Sequence, residues 1–568
     1  VGCSAISFSY STLLGFSIHV FGKVLIRIRE STIAAKRGKE MSLRVREERL
    51  YVENQLGNSV LQAVFQGTVE LPVNAEGIAR VVWVKGHPVI SKIAAGEDQV
   101  KLQGAIDIQM VYVPEVLEGD TAELQRVEWP GAIPFDHYVD IVGAEPYMTA
   151  EASLDVVGCE YEVRPDRRVV DLDVLTLVKA SIKTGQSRNV ITAAAVGAPK
   201  KLVTDELTLN TRIPILEVPF NKEITGIVEL PEEADSISKI LDVRCELIVP
   251  PVEVAQGKMT ITGTTEVDLI YVAVGGGVRR VVFENQLPLE VDHHDPILDQ
   301  DMGVKVKTSA NWDAFVVNDG RAVRIELSVS GTAEVNRRQV TRVLTSLSCP
   351  TDESIETRTE TINVDSVVNE KAHQTVVQGI LELLETDPPI RELLRAEARP
   401  QIVDYRVEED KVTLEGAVDI ELIYLAYTDE ELKPLHSVTF PAALPIQQSI
   451  VIGGLEPGMK VNFETAVKDI KTDLINRETI EVFVTLRFDV EVLEEIQADV
   501  VVEAIEMTPP DPDPPSVTYV FVQEKDTLWK LARQYHSDET AILQANSWLQ
   551  DEGKIELRPG DKICIPRK

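Results

Sequence analysis

One ten-residue phrase occurs three times in the chain, as Gly104-Ala-Ile-Asp-Ile-Gln-Met-Val-Tyr-Val113, Gly263-Thr-Thr-Glu-Val-Asp-Leu-Ile-Tyr-Val272 and Gly416-Ala-Val-Asp-Ile-Glu-Leu-Ile-Tyr-Leu425. Residues two, four, six and eight after each glycine form one face ending in tyrosine. An acidic residue stands third, a polar one fifth and an apolar one seventh. A period of two with one dry face predicts a half-buried β-strand.

A second glycine lies 37 residues upstream of each copy, in Gly67-Thr-Val-Glu-Leu, Gly226-Ile-Val-Glu-Leu and Gly379-Ile-Leu-Glu-Leu. Downstream come aromatic and proline segments, Trp129 to Phe135, Phe283 to Leu289 and Phe440 to Ile446, at distances that vary as a loop allows. Each unit closes on an arginine-led alternating strand starting at Arg168, Arg321 or Arg477. The units repeat after 159 and 153 residues, too long for a solenoid repeat that needs its neighbours to bury a core. The expected fold is therefore mainly β, three tandem antiparallel β-sandwich or open-barrel domains at 52–184, 202–336 and 360–495. Ala193 to Pro199 and Leu347 to Ile355 read as linkers.

Within the units, Val60 to Leu71 and Ala79 to Ile93 read as strands, Tyr161 to Val174 as a hairpin, and Asp319-Gly320 as a tight turn needing positive φ. Pro389 to Glu397, with Leu393 and Leu394 among charges, reads as a short helix. Thr508 to Ser516 holds five prolines and reads as an extended spacer.

Residues 1–22 carry no formal charge apart from His19, and Lys23, Arg27 and Arg29 follow. A secretory signal would place its basic residues first, and the serines dilute a membrane helix. With the first methionine at Met41, residues 1–40 read as a non-native or disordered extension ahead of a start near Met41.

The net charge of −35 is spread along the chain and opposes binding to phosphate backbones, so nucleic acid is not an expected partner. Membrane association would be only indirect. Cys3, Cys159, Cys245, Cys349 and Cys564 form no Cys-x-x-Cys pair and read as reduced thiols. Asp292-His-His-Asp295 with Asp299 and Asp301 reads as a solvated loop, because adjacent histidines on extended chain point to opposite sides. Cys349 and His373 have no local sign of activation, Gly275 to Gly277 is a hairpin turn, and no Gly-rich loop followed by Lys-Ser or Lys-Thr occurs. No catalysis, metal or cofactor is expected.

After the spacer, Tyr519 to Gln523 reads as a strand and Asp526 to Tyr535 as a helix capped by Asp526, with Leu528, Leu531, Ala532 and Tyr535 on one face. Asp538 to Asn546 reads as a second helix with Ala541, Ile542 and Ala545 in one stripe, and Leu557 to Pro566 as a turn and last strand. This strand-helix-helix-strand stretch, with Asp526-Thr-Leu-Trp-Lys-Leu-Ala and Leu557-Arg-Pro-Gly-Asp-Lys-Ile-Cys-Ile-Pro566, resembles a LysM domain over 518–566. The resemblance implies a small α+β module whose groove for N-acetylglucosamine polymers would be lined by Gln523, Lys525, Asp526, Thr527, Leu528, Asn546, Leu557, Arg558, Pro559 and Gly560. Glu524-Lys525 replaces the Pro-Gly common in the family, a charged loop that suits docking to protein. Leu528, Trp548 and Leu557 are the candidate anchors for such a partner. Trp529 and Leu531 read as core.

The three units resemble SPOCS domains, through Gly-x-[VL]-Glu-Leu, the Gly-to-Tyr strand and the late arginine-led strand. Three such units followed by LysM are similar to spore-coat morphogenetic proteins. The resemblance implies a scaffold in the mother-cell cytoplasm at the forespore surface, with the basal coat ATPase as partner. The alternative is a cell-wall protein whose LysM module grips peptidoglycan or a chitin-like glycan.

Overall fold

The computed structural model describes residues 43–115, 123–197, 201–350, 355–427, 434–507, 516–551, 554–555 and 557–566. The extension read at 1–40 and nearly all of the spacer read at 508–516 lie outside the described residues.

The first unit contains β1 (Arg44–Glu70), β2 (Ile78–Ala95), β3 (Gln99–Pro114), β4 (Gln125–Asp140), β5 (Thr149–Val163) and β6 (Val169–Ala195). They form two antiparallel sheets, β1-β6-β5 and β2-β3-β4. The second unit repeats this with β7 (Val203–Glu229), β8 (Ile237–Ile248), a two-residue β9 (Val254–Ala255), β10 (Lys258–Ala273), β11 (Val278–His294), β12 (Met302–Val317) and β13 (Ala322–Ser348). Its sheets are β7-β13-β12 and β8-β10-β11, with β9 paired to β10. The third has β14 (Ile355–Glu382), β15 (Ile390–Glu408), β16 (Lys411–Ala426), β17 (Leu435–Val451), β18 (Lys460–Asn476) and β19 (Thr479–Glu506), in sheets β14-β19-β18 and β15-β16-β17. The repeated phrase is the central strand of one sheet each time, and the arginine-led segment is the central strand of the other. The dry faces of the two sheets meet in the core of each unit, as where Ile106, Ile108, Met110 and Tyr112 face Val170, Leu172 and Val174, and in the second unit this core is split into two clusters.

The repeated residues have repeated jobs. A Cβ on Gly67 would lie 2.6 Å from Ile133, on Gly226 2.2 Å from Leu287, and on Gly379 2.6 Å from Leu444, so each glycine marks where the first strand of one sheet crosses the last strand of the other. The tyrosine hydroxyls donate to a carbonyl 36 residues upstream: Tyr112 to Glu76 at 3.2 Å, Tyr271 to Asp235 at 3.0 Å and Tyr424 to Pro388 at 3.1 Å. Because these rings are fully buried, Tyr424→Phe should lower stability by about 1 kcal/mol, read as a shift of the urea midpoint without change of slope. Arg168 ties down the loop before β2 through the carbonyls of Ala75 and Pro72, and Arg321 does the same at Ala234 and Pro231. Arg477 instead stacks on Tyr427, 4.1 Å from the ring centroid. The acidic residue third after the glycine holds a bulge in the next strand, Asp107 accepting from Gly131 N at 2.5 Å and Asp419 from Ala442 N at 2.6 Å. The middle unit departs here, with Glu266, whose carboxyl is pushed up by burial and by Glu246 and Asp268 nearby.

Several local readings are corrected. The helix read at Pro389 to Glu397 is the start of strand β15. Register shifts between Ile390 and Glu392 and between Leu393 and Arg395 break its alternation, which is why the stretch imitates a helical pattern. The strands also run past the unit bounds read from the sequence, since β1 starts at Arg44 and β6 ends at Ala195, inside the stretch read as a linker; β13 likewise runs to Ser348. At Asn318 and Asp319 φ is 53°, and at Gly320 83°, as the Asp-Gly turn requires.

The three units share three further clusters among the described residues, the third of them of Ile191, Leu344 and Val501 near the ends of the long strands. Val82, Leu241 and Leu394, with Val111, Ile270 and Ile423, come from equivalent positions of the three units and pack together. The extended ends of the long strands form another core, where Leu50, Leu209 and Ile362 meet beside Val190, Val343 and Val500. The chain thus closes its units around a pseudo-threefold axis, and the long strands extend beyond each sandwich because their ends are buried there. Contacts run head to tail: Arg80 of the first unit donates to Leu435 O of the third at 3.0 Å, and Lys239 of the second reaches Gln125 of the first.

Candidate ligand-binding groove of the C-terminal module

The last module contains β20 (Val517–Phe521), α1 (Leu528–Gln534), α2 (Glu539–Ala545), short strands β21 (Gln550–Asp551) and β22 (Lys554–Ile555), and β23 (Lys562–Pro566). Strands β20 and β23 pair antiparallel, and both helices pack on them through Leu528, Leu531, Ala532 and Ile542. Thr527, not Asp526, caps α1, accepting from Lys530 N at 3.1 Å. Asp526 is drawn the other way, its carboxylate accepting from Gln523 N at 2.7 Å. Asp538 caps α2. Of the stripe read on α2, Ile542 is buried but Ala545 is exposed.

Two loops lie side by side at one end of the module. Gly560 N donates to Val522 O, and Val522 N to Asp561 O, both at 2.8 Å. Each loop is braced by an aspartate, Asp526 in the first and Asp561 in the second, where it accepts from Arg558 N at 3.0 Å. Asp561 was absent from the sequence-derived groove, although its place in Pro559-Gly560-Asp561 marks the turn. Gln523, Lys525, Arg558, Pro559 and Gly560 are exposed along this pair of loops, with Glu524 beside them, and Asp526 and Thr527 are half-buried. Leu557 is half-buried and packs on the module's core.

Two residues read into the groove are spent inside the module. Leu528 is 8% exposed, and Asn546 3%. The Asn546 amide donates to Ile542 O and Cys564 O and accepts from Cys564 N, clamping α2 to β23. Trp548, by contrast, is 55% exposed on the turn after α2. Trp529 and Leu531 are buried. Burial pushes the Tyr535 hydroxyl up, and Asp526 adds to the effect.

Lys525 has φ of 82°, a conformation that favours glycine. The family's glycine at this point therefore has a backbone reason, and Lys525 retains the shape at a cost. Lys525→Gly should raise the module's stability by up to about 1 kcal/mol in thermal unfolding, because the positive φ is relieved and the exposed ion pair to Glu47 at 4.0 Å contributes little. The same glutamate lies 3.7 Å from Lys530, and Arg533 lies 3.5 Å from Glu356, so α1 and the Lys525 end of the first loop face the β body, while Gln523, Glu524 and the turn from Arg558 to Gly560 are exposed.

The other sequence candidates are dispersed. His293 is half-buried and His294 exposed at the end of β11, and Asp292 is taken by Thr260 at 2.6 Å and Lys258 at 3.0 Å. Cys349 is buried and His373 half-buried. Burial pushes the thiols of Cys159 and Cys245 up to about 11 and about 12, away from reactivity. Among the described residues no helix is long and apolar enough to cross a membrane.

Residues 77–164 and 389–475 match the family model of the SipL, SPOCS domain, and residues 521–566 match that of the LysM domain. The second unit is not in either match, consistent with its Glu266 and its additional strand β9. No curated protein and no solved structure matches the chain. The chain carries two SPOCS domains of the SipL type, separated by a unit of the same topology, and a LysM domain after them.

Proposed function

We propose that this protein is a non-catalytic scaffold of sporulation, in which the β body carries a LysM head that docks a protein partner. The SPOCS and LysM domains support the coarser statement, a sporulation-related protein with a module of the peptidoglycan-binding kind. The observation that carries the finer reading is the charged, exposed stretch of Gln523 and Glu524 beside Arg558, on a head whose α1 is turned to the body. A charged rim selects a partner by complementary charge, and an exposed aromatic nearby, Trp548, supplies an apolar anchor. The resemblance to spore-coat morphogenetic proteins suggests the basal coat ATPase as the partner, met in the mother-cell cytoplasm at the forespore surface. We read the middle unit as a third, diverged SPOCS copy.

Binding to peptidoglycan is the second reading, favoured by the LysM match itself. The two separate in one comparison, retention of the full chain by immobilised coat ATPase against sedimentation with purified peptidoglycan. Leu528→Ala would only unfold the head, so the informative variants are Arg558→Glu and Trp548→Ala, both on exposed positions. Each should weaken retention by the ATPase about tenfold or more while the head keeps its thermal transition. Sedimentation with glycan and unchanged ATPase retention would reverse the assignment.

A further inference from the structure

The 159- and 153-residue offsets of the repeats place three sets of equivalent side chains around the pseudo-threefold axis: Trp83, Asp242 and Arg395; Lys85, Arg244 and Glu397; Gln109, Asp268 and Glu421. A symmetric ring would carry the same residue at each set. Here every set mixes charge types, and the contacts cross unit boundaries. Lys85 of the first unit lies 3.2 Å from Asp242 of the second and 3.4 Å from Glu397 of the third. Arg395 of the third unit bridges Asp242 and Asp268 of the second, the latter at 2.8 Å, and is 2% exposed. Gln109 donates to Asp242 at 3.3 Å. In the second shared core the same rule recurs, since Glu53, Arg212 and Asp365 are equivalent, and Arg212 reaches Glu491 of the third unit at 2.6 Å.

We infer that these nine axis residues are an ordering code that specifies which unit closes on which. The apolar positions around them are alike in all three units and would accept any pairing, including a unit against another copy of itself. The charges remove that freedom. Three second units would gather six aspartates, Asp242 and Asp268 three times over, against three copies of Arg244, and three first units would gather three copies of Lys85 with no carboxylate among the nine code residues. Like charges buried together are strongly unfavourable, whereas each cation in the observed order meets a carboxylate of a neighbouring unit. A head-to-tail interface that fails to close produces open assemblies, so a chain with three near-copies of one module needs such a device.

The full chain offers a decisive test, because cyclic rotation of the code preserves every neighbour relation and transposition does not. In the rotated variant each unit receives its predecessor's triplet: W83R, K85E, Q109E, D242W, R244K, D268Q, R395D, E397R and E421D. In the transposed variant only the first two units exchange triplets: W83D, K85R, Q109D, D242W, R244K and D268Q. Urea unfolding and light scattering at matched concentration are the readouts. The rotated chain, despite more substitutions, should keep a cooperative transition nearer the wild-type midpoint and the wild-type mass, and the transposed chain should unfold at lower urea or associate. A rotated chain no better than the transposed one, or a transposed chain that matches wild type, overturns the code.

Discussion

Arg395→Ala should destabilise the three-unit body by about 3–5 kcal/mol, the effect of stripping one partner from a buried charge cluster. Asp242 would keep Lys85 and Gln109, and Asp268 the Arg280 of its own unit, but the two carboxylates would lose the buried cation that joins them. Urea titration at pH 7 reads the loss, and a change below about 1 kcal/mol would mean that the cluster relaxes or hydrates. The cluster also sets a direction in pH. Burial alone would raise the Asp242 carboxyl, but Lys85 and Arg395 outweigh it and hold it well below the usual carboxylate range. Glu397 is likewise held down, burial opposing and Lys85, Arg244 and Arg395 prevailing. Both are groups with depressed folded values, so their stabilisation is complete above the unfolded carboxylate range, about pH 4, and disappears as pH falls through the folded values. Lys85 has the opposite sign. Burial opposes its charge, Asp242 and Glu397 raise it, and its contribution is lost only as pH climbs past the usual lysine range. Unfolding midpoints at pH 7 and pH 3 should therefore differ less in Arg395→Ala than in wild type.

Gly416→Ala is the second large effect, about 3 kcal/mol or more of destabilisation by chevron or urea analysis. A Cβ there would stand 2.0 Å from Gln401 O and 2.9 Å from the Ile402 Cα, backbone that cannot step aside without breaking the ladder between β15 and β16. Gly104 has the same conflict with Val89 O, at 2.2 Å. Gly158 provides the control, with nothing within 4 Å of its Cβ position, so Gly158→Ala should be neutral or stabilising by about 0.4–1 kcal/mol. Equal effects at Gly416 and Gly158 would show that the repeated glycine is dispensable.

Period-two patterning and the recurring glycines were sufficient to place β3, β10 and β16 and to count the units, because alternation is imposed locally by the pleat. The same reasoning failed at β15, where two bulges put neighbouring leucines toward buried surroundings and so broke the alternation. In the head, Trp529 and Leu531 were legible as core. Leu528 and Asn546 were not separable from groove residues, since a conformation that turns a loop residue inward leaves no mark on its own identity. Lys525 at positive φ was visible only as a departure from Pro-Gly, and the backbone angle supplied its meaning.

By itself the amino-acid order determined a tandem of β modules, a distinct small head and the residues that each module reuses, all of them consequences of local periodicity and repetition. Only the tertiary structure decided that the modules close around one axis, which charges meet there, and which face of the head remains open. Those outcomes depend on contacts between residues more than a hundred positions apart, such as Lys85 with Asp242 and Arg395 with Asp268, and no local pattern encodes which distant opposite charge a buried side chain will meet.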